Sequence, residues 1–193
     1  MRHDAASASP VADPATYRAL RRPPGARHVE AIDQRALPHA VVPVRIADAD
    51  VAALAIRTMW IRGAPLIGAV GAYGLAMALD RDASDAGLAR AHAALDATRP
   101  TAVNLRWALD RVRAQVAPLP PDARADAAWI EADAIAAEDV AINHAIGGHG
   151  LELLERLVGK GMHVIRSDTG PDRPYPDLRS AEDGRYLEVD LPT

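Results

Sequence analysis

The stretch that most constrains the fold of this chain is Arg62-Gly63-Ala64-Pro65, followed directly by the small and apolar run Leu66 to Gly74. Proline is favoured at the start of a helix, where its missing N–H would have no intrahelical partner. The sequence therefore predicts a helix from Pro65 to about Leu79, whose glycines suit close packing against another helix. The apolar run is shorter than the roughly 18–20 residues that a membrane span needs, so no membrane segment is predicted.

Two arginines stand beside predicted helix starts. Arg62 comes just before the helix at Pro65, and Arg99 precedes Pro100-Thr101 in a similar setting. The free N–H groups of a first helical turn, the positive end of the helix dipole and a guanidinium can all point at one anion. If the two starts lie close in space, they would form a clamp for a phosphate or carboxylate. The alternative is that each arginine ion-pairs with a nearby carboxylate, and the spacing favours neither interpretation.

Composition and charge exclude several classes of function. The chain has 193 residues, a formal net charge of −4 and no cysteine. The charge argues against a nucleic-acid binder, and the lack of cysteine rules out disulfides, thiolate metal sites and a cysteine nucleophile. His144, His149 and His163 do not have a metal-binding spacing, and the sequence has no Gly-rich nucleotide loop, so we expect no metal and no cofactor. Residues 1–27 hold no secretory signal, and we expect a cytoplasmic protein.

The order of elements predicts a mainly α-helical domain with a small antiparallel β-sheet at its N-terminal end, an α+β fold built on a helical bundle. We expect a flexible leader over residues 1–27 and the folded domain over residues 28–160. Residues 161–193 are expected to form one short strand and then a poorly packed, irregular tail. Pro43 favours an edge position for a strand within residues 40–46.

The ends of the helices are predicted from capping residues and glycines. The expected N-caps are acidic or hydroxyl residues, namely Asp48 or Asp50, Ser84 and Thr101. The first helix is expected to reach about Ile61 and to stop at Gly63. A fifth helix is predicted from about Asp122 to Ile146, and Gly147-Gly148 is expected to separate it from a sixth.

Asp139 and Asn143 lie four residues apart on the apolar stripe of the predicted fifth helix. Polar groups buried on such a stripe must be hydrogen-bonded. We therefore favour a structural tie to a neighbouring helix or cap. The alternative is that the two side chains support the anion site without contacting the anion.

Four motifs occur in one order along residues 28–158, and together they carry a resemblance. They are residues 32–38 (IDQRALP), residues 55–68 (AIRTMWIRGAPLIG), residues 98–105 (TRPTAVNL) and residues 138–143 (EDVAIN) with Ile146-Gly147 and His149-Gly150. In this combination the chain resembles the methylthioribose-1-phosphate isomerase family of methionine salvage. Ribose-1,5-bisphosphate isomerase and the regulatory subunits of the translation-initiation guanine-nucleotide exchange factor belong to the same superfamily.

The resemblance implies a specific reaction and site. The family converts methylthioribose 1-phosphate to methylthioribulose 1-phosphate without a metal or cofactor. Substrate would be bound through Arg62, Gly63, Ala64 and Arg99, which agrees with the clamp described above. The family continues into a Rossmann-like α/β domain with a catalytic cysteine in a Thr-His-Cys-Asn segment and an aspartate acid/base. This chain has no cysteine and diverges after Ile165, so no residue is assigned a catalytic role.

We therefore expect the N-terminal domain of such an isomerase, truncated or frameshifted near residue 160, lacking the Rossmann-like domain and inactive alone. Its expected ligand is a small sugar phosphate. The chain could pair with a second copy of itself or with a full-length isomerase, and the sequence does not decide between these partners. The alternative is a non-catalytic sugar-phosphate-binding, assembly or regulatory module of the same superfamily.

Overall fold

The computed structural model describes residues 18–158, 163–165 and 186–188, and the chain divides into two units, Met1–Asp139 and Val140–Thr193. Its elements follow in the order β1 (Leu20–Arg21), β2 (Val29–Ile32), β3 (Pro43–Ile46), α1 (Ala49–Arg57), α2 (Ala64–Leu79), α3 (Asp85–Asp96), α4 (Val103–Val116), α5 (Pro121–Val158), β4 (His163–Ile165) and β5 (Tyr186–Glu188). The predicted mainly helical fold with a small N-terminal antiparallel sheet is confirmed.

Strand β2 is the centre of the three-stranded sheet. It pairs with β1 on one side, where Leu20 faces Ala31, and with β3 on the other, where Val29 faces Ile46. Both pairings are antiparallel. Strand β3 starts at Pro43 and lies at the edge of the sheet, as the proline predicts.

The segment before β2 departs from the predicted leader, because residues 18–27 are tied to the domain. Arg22 donates to Asp133 at 2.5 Å, and its Cζ lies 4.3 Å from the centroid of the Trp129 ring. Arg27 donates to Asp80 at 2.7 Å, and its Cζ lies 5.7 Å from the centroid of the same ring. These partners are about 50 to 110 residues away in sequence, so no local pattern marks them. Residues 1–17 of the expected leader lie outside the described residues.

Strand β4 lies at the beginning of residues 161–193, where the sequence predicts one short strand. It pairs in parallel with β5, so that Val164 faces Leu187. Strand β5 lies in the part of the tail for which the sequence predicts no regular structure. The rest of the tail, residues 166–185 and 189–193, lies outside the described residues.

Two of the predicted N-caps are confirmed, and one is wrong. The Asp48 side chain accepts from the Val51 N–H at 2.9 Å, and the Ser84 hydroxyl accepts from the Gly87 N–H at 3.0 Å. Helix α4, in contrast, has Ala102 as its N-cap. Thr101 falls one residue too early, because the chain first makes a turn in which the Ala102 N–H donates to the Arg99 carbonyl at 2.9 Å.

Two predicted helix ends also need correction. Helix α1 ends at Arg57, four residues before Ile61, because residues 58–63 form an irregular loop. Helix α5 continues through Gly147-Gly148 to Val158. A glycine ends a helix by adopting a positive φ, and neither of these two does so. Glycine inside a helix costs only about 1 kcal/mol relative to alanine, so α5 tolerates both.

Helix α2 is the centre of the first unit and packs against α1, α3 and α4. It is buried almost throughout from Ile67 to Leu79. Its glycines face different neighbours: Gly68 and Gly71 face α4, and Gly74 faces α1 and α3. The predicted close helix crossing is therefore present. No helix in residues 18–158 is long and apolar enough to cross a membrane.

Replacing Gly68 by alanine tests how much the fold depends on this crossing. A Cβ at residue 68 would lie 2.8 Å from the Asn104 carbonyl oxygen, so the helices must separate. We expect Gly68→Ala to lower the free energy of unfolding by about 1–3 kcal/mol, the usual cost of overpacking. Urea denaturation measures this.

The matched control is Gly147→Ala on α5, where an added Cβ meets nothing within 4 Å. It should leave the free energy of unfolding unchanged or raise it by up to about 1 kcal/mol through helix propensity. A Gly68→Ala chain as stable as the wild type would show that the crossing is not tight.

Candidate anion-binding site

The packing of α2 on α4 places the beginnings of these two helices side by side. Gly68 lies one turn inside α2, and Asn104 lies in the first turn of α4. A Cβ on Gly68 would be 2.8 Å from the Asn104 carbonyl oxygen and 3.4 Å from the Ala108 Cβ. The clamp hypothesis requires that the two helix starts are neighbours in space, which the sequence alone does not show.

These two helix starts differ from those of α1 and α3 in how their N–H groups are satisfied. Helices α1 and α3 have a side-chain cap and an acidic residue in the first turn, Asp50 and Asp85 respectively. Helices α2 and α4 begin after Gly63 and Ala102, with no side-chain cap among the described residues and no acidic residue in the first turn. Their first N–H groups and their positive dipole ends are therefore available to an anion.

The two candidate arginines are placed at these starts. Arg62 is exposed and lies two residues before α2, and Arg99 is half-buried in the loop before α4. Several other arginines, such as Arg27 and Arg111, ion-pair with carboxylates. Within residues 18–158, neither the Arg62 nor the Arg99 side chain makes an ion pair or a hydrogen bond. The alternative interpretation, an ion pair to a nearby carboxylate, has no support in the described part of the chain.

Gly63 gives the Arg62 segment its backbone geometry. Its φ is +87°, a conformation that side-chain-bearing residues rarely adopt. A Cβ at this position would meet nothing within 4 Å, so the requirement for glycine is conformational. Ala64 follows as the first residue of α2 and is exposed, like Arg62 and Gly63. The three residues thus form one accessible turn at the start of the helix.

The loop before α4 is shaped by short-range hydrogen bonds. The buried Thr98 hydroxyl donates to the Leu95 carbonyl at 2.6 Å, which ties the loop to the end of α3. The turn from Arg99 to Ala102 then leads into α4. Arg99 is therefore held between two anchored backbone positions, Thr98 and Ala102.

Asp139 and Asn143 are both on α5, as predicted, but in different settings. Asp139 is half-buried and ends the first unit, whereas Asn143 is exposed and belongs to the second. The apolar stripe assumed for Asn143 is not buried, because Ile142 and Ile146 are 58% and 63% exposed. The argument from burial therefore fails for Asn143. The supporting roles of both residues stay predictions.

Asp33-Gln34-Arg35 belongs to one of the four sequence motifs, but the sequence predicts no functional role for it. The Gln34 N–H donates to the Trp60 carbonyl at 2.9 Å, and its side-chain Nε2 donates to the Arg62 carbonyl at 3.3 Å. Arg35 donates to both carboxylate oxygens of Asp33 and lies over the Trp60 ring. These hydrogen bonds from Arg35 hold the Asp33 pKa below its usual value. The only sequence signal was a run of polar residues directly after a buried strand.

The fold and this pair of helix starts can be compared with known proteins. The sequence profile of the Initiation factor 2 subunit family matches residues 60–165, and the chain belongs to this family. Methylthioribose-1-phosphate isomerase from Dechloromonas aromatica is 60% identical over 141 residues, which cover 73% of this chain and 39% of that protein.

Two solved structures share the fold. The crystal structure of 5-methylthioribose 1-phosphate isomerase from Pyrococcus horikoshii OT3 is 35% identical, with a TM-score of 0.64, over 70% of this chain and 40% of the other. Subunit delta of translation initiation factor eIF-2B from A. fulgidus is 31% identical, with a TM-score of 0.57, over 64% of this chain and 37% of the other. The chain thus spans about two fifths of the length of the isomerases that it matches.

Gly63→Ala tests whether the turn at the start of α2 needs glycine. Space is available for the methyl group, so any cost comes from the backbone conformation. We expect the free energy of unfolding to fall by about 1–2 kcal/mol, the cost of a positive φ for an L-residue. Chemical denaturation measures it, with Gly150→Ala on the exposed part of α5 as the control. An unchanged stability for Gly63→Ala would contradict this account of the turn.

Proposed function

We propose that this chain binds a small sugar phosphate at the paired starts of α2 and α4. The observation that carries the proposal is the contact of Gly68 with Asn104, which makes the two uncapped helix starts neighbours. The phosphate accepts hydrogen bonds from the first N–H groups of both helices. Arg62 and Arg99 add charge-assisted hydrogen bonds from either side.

The relatives give the sugar phosphate its proposed identity. Methylthioribose-1-phosphate isomerases are named for a sugar phosphate, and the chain is 60% identical to one of them over 141 residues. We therefore propose methylthioribose 1-phosphate, a metabolite of methionine salvage, as the ligand. The proposed function is a role within the isomerase reaction. In this role Arg62, Gly63, Ala64 and Arg99 hold the phosphate.

The chain by itself is proposed to bind without catalysing. Proton transfer between adjacent carbons needs a positioned acid or base within hydrogen-bond reach of the reacting atoms. The resemblance assigns that chemistry to a cysteine and an aspartate outside the matched residues, and this chain contains no cysteine. Turnover would therefore require pairing with a chain that supplies these groups, such as a full-length isomerase.

A non-catalytic assembly or regulatory module is the second candidate. The observation in its favour is the fold shared with the initiation-factor subunit from A. fulgidus. Such a module would keep the helix packing but would not need the free arginines. Phosphate affinity that depends on Arg62 and Arg99 therefore separates the two candidates.

Removal of either arginine should abolish measurable sugar-phosphate binding. Each charge-assisted hydrogen bond contributes about 1.5–3 kcal/mol, so two arginines support a dissociation constant near millimolar. Titration of the ¹⁵N-labelled full chain with ribose 5-phosphate, followed by NMR, measures this, and ribose serves as the uncharged ligand control. Arg62→Ala and Arg99→Ala should each weaken binding by about 10- to 100-fold with unchanged helical content.

The matched control for this titration is Arg113→Ala, which removes an exposed arginine from the opposite end of α4. It should bind ribose 5-phosphate like the wild type. Equal binding by the Arg62 and Arg99 variants would exclude the clamp. Unfolding of either variant would instead make that arginine a structural tie.

The purified chain should show no isomerisation of methylthioribose 1-phosphate. The physical reason is the lack of a cysteine and of an identified acid/base group near the proposed phosphate site. A coupled or NMR assay of product formation measures this, with a full-length isomerase as the positive control. Turnover within the usual enzyme range of about 1–1000 per second would contradict the prediction and imply a different acid/base set.

A further inference from the structure

The loop that joins α1 to α2 carries Arg62 but has little regular structure of its own. Residues 58–63 are neither helix nor strand. Met59 has a φ of +63° and Gly63 a φ of +87°. Met59 has this φ because it follows the C-cap of α1: the Trp60 N–H donates to the Ala55 carbonyl at 2.9 Å, the bond that closes a helix end of this kind.

Gln34 contacts the second half of this loop from the segment between β2 and β3. Its backbone N–H donates to the Trp60 carbonyl at 2.9 Å, and its Nε2 donates to the Arg62 carbonyl at 3.3 Å. The two acceptors lie on either side of Ile61, whose side chain is fully buried. One residue thus fixes the direction of the chain immediately before Gly63 and the start of α2.

Gln34 is itself held by its two neighbours. Asp33 is buried, its N–H donates to the Val42 carbonyl at 2.8 Å, and its carboxylate accepts from the Arg35 Nε at 2.9 Å. The Arg35 guanidinium lies 5.0 Å from the centroid of the Trp60 ring. A charge-assisted pair and a cation–π contact therefore keep the Gln34 backbone next to the Arg62 loop.

We propose that Gln34 is a positioning residue for the anion site, acting through the Arg62 carbonyl. This inference rests on the proposed function, because it concerns the same site. Without the side-chain hydrogen bond, the ψ angle of Arg62 is free to change. Such a change turns both the guanidinium and the first N–H groups of α2 away from the phosphate position. Gln34 itself does not touch the ligand.

The test uses two variants that keep the backbone hydrogen bond to Trp60 but lose the one to Arg62. Gln34→Leu conserves the size of the side chain without a donor, and Gln34→Asn keeps the amide but is too short to reach. Both should raise the dissociation constant for ribose 5-phosphate about three- to tenfold, the equivalent of one neutral hydrogen bond. Gln115→Leu, on an exposed position of α4, should bind like the wild type.

A second readout separates positioning from general stability. The ¹³Cα shifts of Arg62 and Gly63 in the ligand-free chain should change in both Gln34 variants, while urea midpoints stay close to that of the wild type. Wild-type affinity and unchanged ¹³Cα shifts in the variants would overturn the inference. If the wild-type chain does not bind ribose 5-phosphate, the proposed function fails. The role of Gln34 in holding the loop is then decided by the ¹³Cα shifts alone. If Gln34→Leu does not fold, Gln34→Asn decides both readouts.

Discussion

The approach of the α2 backbone to the first turn of α4 is the constraint on which the rest of the site depends. It requires residue 68 to have no Cβ, because the Asn104 carbonyl occupies that space. The contact also brings two positive helix ends together, which is electrostatically unfavourable in the absence of an anion. Burial of Leu105, Ala108 and Leu109 against α2 offsets this repulsion. A phosphate bound at the proposed site would neutralise this repulsion, so the proposed ligand would also stabilise the crossing.

The two ends of α2 are held by different kinds of interaction. Near its C-terminal half, the buried Tyr73 hydroxyl donates to Asp133 at 2.8 Å, and Asp80 accepts from the Trp129 indole at 2.9 Å. Burial raises the pKa of Tyr73 far above its usual value, so the hydroxyl stays a donor. The N-terminal end of α2 is held by the close approach of Gly68 to the Asn104 carbonyl and, through the loop before it, by the Gln34 hydrogen bonds.

The features predicted correctly from the sequence are those decided within a few residues. Asp48 and Ser84 are N-caps because a side chain reaches an N–H three residues later, and Pro43 marks an edge strand because it lacks a donor. The failures depend on distant partners or on context. The anchoring of Arg22 to Asp133 spans 111 residues. Gly147-Gly148 does not end α5, because neither residue adopts the positive φ with which a glycine ends a helix.

The difference between local features and distant partners also explains why the sequence predicts only part of the candidate site. Helix starts and nearby arginines are local features, so Arg62 and Arg99 could be selected from spacing. Whether an arginine is free for a ligand depends on the carboxylates around it. Arg111, for example, is engaged by Glu131 and Glu138, which lie 20 and 27 residues away in the sequence. Gly68 and Gln34 do not belong to the proposed ligand contacts at all, yet they arrange the helix starts and the Arg62 loop. The motifs of this chain therefore combine residues proposed to contact the ligand with residues that shape the backbone, and the structure is needed to tell them apart.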